Sequence, residues 1–63
     1  MDKKTRKKLR SVMKSASVVG REFGKLSRQI APENDQAVSR KLAYSIQLYK
    51  DFFNTLKDLN KSL

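Results

Sequence analysis

The sequence contains no cysteine and no histidine, and it has only one proline, Pro32. Without cysteine the chain forms no disulfide and offers no thiolate ligand. Without histidine it lacks the commonest metal ligand and general base. A chain of 63 residues buries too little surface to be very stable alone, and small proteins compensate with disulfides, a metal or oligomerisation. We therefore expect this protein to oligomerise.

Acidic side chains are also scarce, with six Asp and Glu against fifteen Lys and Arg. The six form no facing pair and no cluster with metal-ligand spacing, and there is no Gly-rich phosphate loop and no nucleophile paired with a base. We expect a protein that is not an enzyme, with no catalytic residue, no cofactor and no metal. No segment reaches the roughly 20 apolar residues that span a bilayer, and we expect a cytoplasmic protein.

The formal net charge of +9 comes almost entirely from the first half of the chain. Residues 1–31 hold ten basic and two acidic side chains, whereas residues 32–63 hold five basic and four acidic ones. A one-sided field of this kind attracts polyanions such as nucleic acid, an acidic protein or an anionic membrane.

Apolar residues recur every three or four positions in both halves of the chain, which indicates two helices with a coiled-coil-like seam. In the first half these positions are Leu9, Val12, Ala16, Val19, Phe23, Leu26 and Ile30. In the second half they are Val38, Leu42, Ser45, Tyr49, Phe52, Leu56, Leu59 and Leu63. Ser45 is the one polar member, and its hydroxyl can bond back to the carbonyl of Lys41.

The two patterns are out of phase, because Ile30 and Val38 are separated by a step that no continuous heptad allows between core positions. Pro32 lies in the gap and suits the first turn of a second helix, where Asp35 places negative charge at the positive end of the helix dipole. A short connection makes long helices antiparallel neighbours. We predict an all-α fold, an antiparallel two-helix hairpin in a single domain. Its bounds are helix one at about 3–30, the turn at about 31–34 and helix two at about 35–61, within residues 1–63.

Further apolar residues flank both seams, and one hairpin cannot cover them all. A wide apolar stripe suits a four-helix bundle, so we expect two hairpins to pair as a homodimer. The residues predicted to form this oligomer or partner interface are Leu9, Val12, Val19, Phe23, Leu26, Ile30, Leu42, Ile46, Tyr49, Phe52, Phe53, Leu56 and Leu59.

Ala16, Gly20 and Gly24 form a stripe of small residues at intervals of four. The stripe either lets a neighbouring element approach closely or simply weakens the helix, since each interior glycine costs about 1 kcal/mol relative to alanine. The sequence leaves both interpretations open.

The basic run KKTRKKLR at residues 3–10 is the strongest functional signal. Lys7, Lys14, Arg21 and Arg28 share one heptad position, which the predicted seam places directly opposite itself in a row about 32 Å long. Such a row can follow a phosphate backbone. The predicted nucleic-acid contacts are Lys3, Lys4, Arg6, Lys7, Lys8, Arg10, Lys14, Arg21, Lys25 and Arg28.

These features predict a non-enzymatic, homodimeric protein that binds nucleic acid or has a regulatory role, and whose first helix contacts phosphates. It would then be associated with nucleic acid or the nucleoid. The alternative is an adaptor, chaperone or inhibitor that docks the apolar face of helix two on a partner protein, with the basic half attracting an acidic partner. Binding to a membrane surface ranks last, because the apolar side of helix one is modest.

Overall fold

The computed structural model describes residues 3–63. Helix α1 spans Lys3–Ile30, a 3-10 turn spans Ala31–Glu33, and helix α2 spans Gln36–Ser62. No strand occurs in the described range. The two helices lie side by side in a hairpin that extends 48 × 16 × 10 Å, which confirms the predicted all-helical class.

The chain reverses at Asn34 and Asp35. Asn34 adopts the left-handed conformation, with φ of 54°, and its amide donates to the carbonyl of Ala31 at 3.3 Å. Asp35 is the N-cap of α2, and its carboxylate accepts from the amides of Ala37 and Val38 at 3.0 and 3.2 Å. Asparagine tolerates the left-handed region because its short polar side chain bonds locally.

Pro32 lies within the stretch that was predicted to form the turn, at about 31–34, and not in the first turn of α2. It lies in the 3-10 turn that continues directly from α1, where its restricted φ fits the tighter helix. The amides at the start of α2 are capped by the carboxylate of Asp35.

Two contacts set the antiparallel register. The side chain of Tyr49 lies against Gly20, and the guanidinium of Arg6 donates to the backbone carbonyl of Leu63. Arg6 and Leu63 stand equally far along the chain from Gly20 and Tyr49, so both contacts describe the same pairing of the helices. The α2 residue that lies opposite a given α1 residue is therefore found by counting the same number of residues from Gly20 and from Tyr49, in opposite directions along the chain.

The hairpin seam is turned relative to the predicted one. Its α1 members are Leu9, Met13, Ala16, Gly20, Phe23, Ser27 and Ile30, and its α2 members are Leu42, Ile46, Tyr49, Phe53, Leu56 and Leu63. All are buried or half-buried, although only Leu9 and Ala16 fall below a tenth exposed. The predicted seam of the hairpin was wrong for Val12, Val19 and Leu26, which are 40–47% exposed, and their assignment to an oligomer or partner interface stays a prediction. It was also wrong for four α2 positions that are exposed, namely Val38, Ser45, Phe52 and Leu59.

The packing of Tyr49 explains this rotation. Its hydroxyl donates to the carbonyl of Ala16 at 2.6 Å, and its ring lies 5.7 Å from the ring of Phe23 and 6.0 Å from that of Phe53. The ring fits because Gly20 has no side chain. A Cβ at that position would lie 2.6 Å from the tyrosine oxygen. The α1 surface that faces α2 is therefore the one that carries the small residues Ala16 and Gly20 where the Tyr49 ring packs.

The two glycines differ in role, and alanine substitutions should separate them. Gly24→Ala would meet no atom within 4 Å, so it should raise the free energy of unfolding by about 1 kcal/mol through helix propensity. Gly20→Ala displaces Tyr49, and overpacking with a lost hydrogen bond should outweigh that gain, for a net loss of about 1–2 kcal/mol. Urea denaturation of both variants at one protein concentration measures the difference. Equal stability of the two would contradict a packing role for Gly20.

Candidate nucleic-acid interface

One side of the hairpin carries two exposed apolar rows. Residues seven apart share a row along a helix, because each residue turns about 100° around the axis. When two helices are antiparallel, a row on one helix and a row on the other lie on the same side of the hairpin if both are turned from the seam by the same angle and in the same direction around their own helix axes. The two rows, which we call the apolar face, comprise Val12, Val19 and Leu26 on α1 with Val38, Ser45, Phe52 and Leu59 on α2.

The register interleaves these rows across the hairpin. Counted from the Gly20–Tyr49 pair, Phe52 lies about 3 Å along the axis from the level of Val19, and Leu59 lies about 3 Å from that of Val12. A shallow depression beside the α1 row is lined by Val19, Phe23 and Leu26, with Glu22 at its border. The hydroxyl of Ser45 donates to the carbonyl of Lys41 at 3.0 Å, as predicted, so this polar member satisfies its own hydrogen bond.

The opposite side of the hairpin is basic. Its α1 rows contain Lys3 and Arg10 beside the seam, and Lys7, Lys14, Arg21 and Arg28 farther out. The matching α2 rows contain Lys50 and Lys57 beside the seam, and Arg40 and Lys61 farther out. These ten side chains, which we call the basic face, are all exposed. Among the described residues, these four rows include no Asp or Glu.

The sequence pattern placed the outer row of α1 directly opposite the seam, but the structure does not. The seam is turned by about 50° from its predicted position, so Lys7, Lys14, Arg21 and Arg28 lie about 120° from it. This rotation turns the row away from the apolar face and towards the side that carries Lys50 and Lys57. The basic face is therefore built by both helices.

Four predicted contacts fall outside the basic face. Lys4 and Lys25 lie on the α1 row opposite the seam, and Lys8 lies on the apolar side. Lys25 also pairs with Glu22 at 3.4 Å, the one ion pair within residues 3–63. Arg6 lies in line with the seam, where it bonds to the Leu63 carbonyl.

The four α2 cations were missed by sequence reasoning. Arg40, Lys50, Lys57 and Lys61 belong to a half of the chain whose net charge is close to zero, so composition gave no reason to select them. Asp51 and Asp58, which offset part of this charge in the composition, lie on the α2 row opposite the seam, outside the basic face. The spacing of seven between Lys50 and Lys57 indicated that they share a row on α2. Only the register of the hairpin shows that this row lies beside the cations of α1.

The geometry of the basic face suits an extended anion. Lys3, Arg6, Lys7 and Arg10 line a shallow depression at the open end of the hairpin, and Lys50 and Lys57 border another beside Tyr49. The Lys57 ammonium lies 5.2 Å from the centre of the Phe53 ring, which positions this cation over the seam. Lysine and arginine offer donors only, so the face can bind phosphate oxygens but not cations.

The aromatic side chains lie elsewhere. None belongs to the rows of the basic face in the part of the chain that the structure describes. Tyr44 is 67% exposed but lies on the α2 row opposite the seam, beside Asp51 and Asp58 in heptad position. Cations without exposed rings among them favour contacts with phosphate oxygens over stacking on bases.

Comparison of the chain with protein-family models, with curated proteins and with solved structures finds no match. Within residues 3–63, no group of three or more acidic, histidine or cysteine side chains is arranged to hold a metal ion. Neither described helix combines the length and the hydropathy needed to cross a membrane. The two opposite faces of the hairpin are therefore the features from which a function can be inferred.

Proposed function

We propose that this protein is a homodimer without catalytic activity that binds double-stranded nucleic acid through phosphate contacts. The observation that carries the proposal is the division of the hairpin into an apolar face and, on its other side, a basic face with no described acidic residue. Each face needs a different partner, and one assembly can satisfy both.

A second copy of the chain is the occupant that fits the apolar face. The two longer extents of the hairpin, 48 and 16 Å, give a face of roughly 770 Å². A stable interface buries about 800 Å² of accessible surface on each partner, and a side of this outline is large enough to supply it when two copies pack face to face. The result is a four-helix bundle, in which the depression at Val19, Phe23 and Leu26 offers a hole for a side chain of the partner.

Charge also favours a second copy over this face. Each chain carries +9, yet the apolar rows themselves hold no charge. The rows that border the apolar face contain three charged residues, Lys8, Lys41 and Glu22. Most of the cations lie on the other side of the hairpin. Pairing through the apolar faces therefore keeps the like charges of the two copies far apart, which limits their repulsion.

A duplex is the occupant that fits the basic face. The row from Lys7 to Arg28 runs along a single helix and is about 32 Å long, close to the ~34 Å helical turn of a DNA duplex. Charge and length suit phosphates on one side of a duplex, and the absence of aromatic rings from these described rows disfavours single strands. Because the face holds long, flexible cations, it binds without strong sequence preference.

The test is a binding titration against duplex DNA, duplex RNA and a single strand of equal length at several salt concentrations. With six to ten phosphates contacted, affinity for the preferred duplex should fall by about 10³–10⁵ between 50 and 200 mM salt. Tighter binding to the single strand than to both duplexes, or affinity that does not change with salt, would contradict the proposal.

The second candidate is a protein-interaction module whose apolar face docks on a helix of an acidic partner. It is favoured by Leu48 and Phe52, which are 51% and 50% exposed in a single hairpin. Sedimentation equilibrium distinguishes the two. A homodimer at micromolar concentration supports the first proposal, whereas a stable monomer favours a different protein as the partner.

A further inference from the structure

We infer that the dimer is bivalent: it holds two separate nucleic-acid duplexes, one on each side, and so bridges them. This inference rests on the proposed function and extends it from binding one duplex to joining two. It follows from where the two faces lie on one hairpin.

The apolar and basic faces point in nearly opposite directions. On α1, the row of Val12, Val19 and Leu26 is turned about 80° from the seam on one side. The row of Lys7, Lys14, Arg21 and Arg28 is turned about 120° on the other side, so the two rows are about 160° apart. When two hairpins join through their apolar faces, their basic faces therefore point outwards on opposite sides of the bundle.

Symmetry makes the two outward faces equivalent. In a twofold dimer each copy presents the same surface, so a ligand that binds one basic face binds the other. One hairpin is 10 Å thick, and two stacked hairpins hold their basic faces roughly 20 Å apart, since helices pack with axes 8–10 Å apart. That separation is about two Debye lengths at 0.1 M salt, so the charge of one bound duplex is largely screened from the other.

One duplex cannot occupy both faces. Reaching from one side of the bundle to the other requires a reversal of direction around a body roughly 20 Å thick. Smooth bending by only 40–90° over 20–30 base pairs already costs about 1–6 kcal/mol, because the persistence length of a duplex is about 150 base pairs. The two basic faces therefore take two duplexes, or two distant segments of one long duplex.

A capture assay tests the bridge. A biotinylated duplex is fixed on beads, and a fluorescent duplex of unrelated sequence is supplied in solution with the wild-type protein. Bridging should retain the fluorescent duplex on the beads, and retention should fall again at excess protein, because each duplex is then coated separately. A Phe52→Glu variant, whose charge lies in the apolar face, should bind single duplexes but lose at least ~10-fold in capture.

Stoichiometry with wild-type protein provides a second, independent measurement. Sedimentation velocity with a short duplex at low salt should show two duplexes for each protein dimer at saturation. One duplex for each dimer, together with no capture on beads, would overturn the bridging inference while leaving the proposed function intact. Absence of binding to any duplex would instead overturn the proposed function. If the Phe52→Glu variant does not fold, the wild-type stoichiometry still decides.

Discussion

Replacing Lys14, Arg21 and Arg28 together by glutamine is expected to weaken duplex binding by a few hundred-fold at about 0.1 M salt. All three lie in the outer row of the basic face, and within residues 3–63 none has an ion-pair partner. Each lost phosphate contact removes about 0.9 from the slope of log affinity against log salt, or roughly eightfold at this concentration. The slope should therefore fall by about three, which a salt titration of the variant measures.

A matched control removes the same charge from another part of the surface. Lys4, Lys25 and Lys41 are exposed but lie on rows outside the basic face, and their replacement by glutamine lowers the net charge equally. We expect this variant to lose less than about tenfold in affinity, through the weaker overall field alone. Equal losses in the two variants would mean that binding depends on net charge and not on the basic face. Glutamine has a helix propensity similar to lysine and arginine, so both variants should remain helical.

Phe52→Glu is expected to convert the dimer to a monomer at concentrations where the wild-type protein is fully dimeric. In a symmetric dimer the change occurs twice, and each copy loses a large aromatic contact and places a charge in an apolar interface. Removing charge from water without a partner costs several kcal/mol, so the dissociation constant should rise by at least ~10³-fold. Sedimentation equilibrium measures this change directly.

Thermal unfolding provides an independent test of whether the Phe52→Glu variant is a monomer. A dimer that dissociates on unfolding melts at a temperature that rises with protein concentration, and this dependence should disappear in Phe52→Glu. Tyr44→Glu is the matched control, because Tyr44 is an exposed aromatic on the α2 row opposite the seam, outside both faces. It should leave the dimer intact. Dissociation by both variants would show that added negative charge, and not the apolar face, controls assembly.

The helices and their arrangement followed from periodicity, but the rotation of each helix did not. Leu9, Ala16 and Phe23 were expected in the seam and are found there. The row that contains these three residues has a neighbouring row on each side, and steps of three and four allow either neighbour to complete the seam. We expected the more hydrophobic neighbour, which contains Val12 and Val19. The hairpin packs through the other flank, because the Tyr49 ring needs the space above Gly20.

The candidate site was predicted in part for a similar reason. Clustered charge in the sequence identified the cations of α1, and their shared heptad position grouped Lys7, Lys14, Arg21 and Arg28. The contributions of Lys50 and Lys57 depend on how α2 lies beside α1, which is information that no local pattern contains. The assignment of all these cations to nucleic-acid contacts stays a prediction.

By itself, the sequence determined that the chain is helical, that it turns back near Pro32, and that its charge is positive and lies mainly in the first half. It also excluded thiolate and imidazole chemistry. Only the tertiary structure decided which apolar residues pair within the hairpin and which remain exposed on the side opposite the cations. The physical reason is that the 3.6-residue period determines the rows on one helix, whereas the rotation of that helix depends on contacts with another. Here the decisive contact is the Tyr49 hydroxyl reaching the Ala16 carbonyl across Gly20.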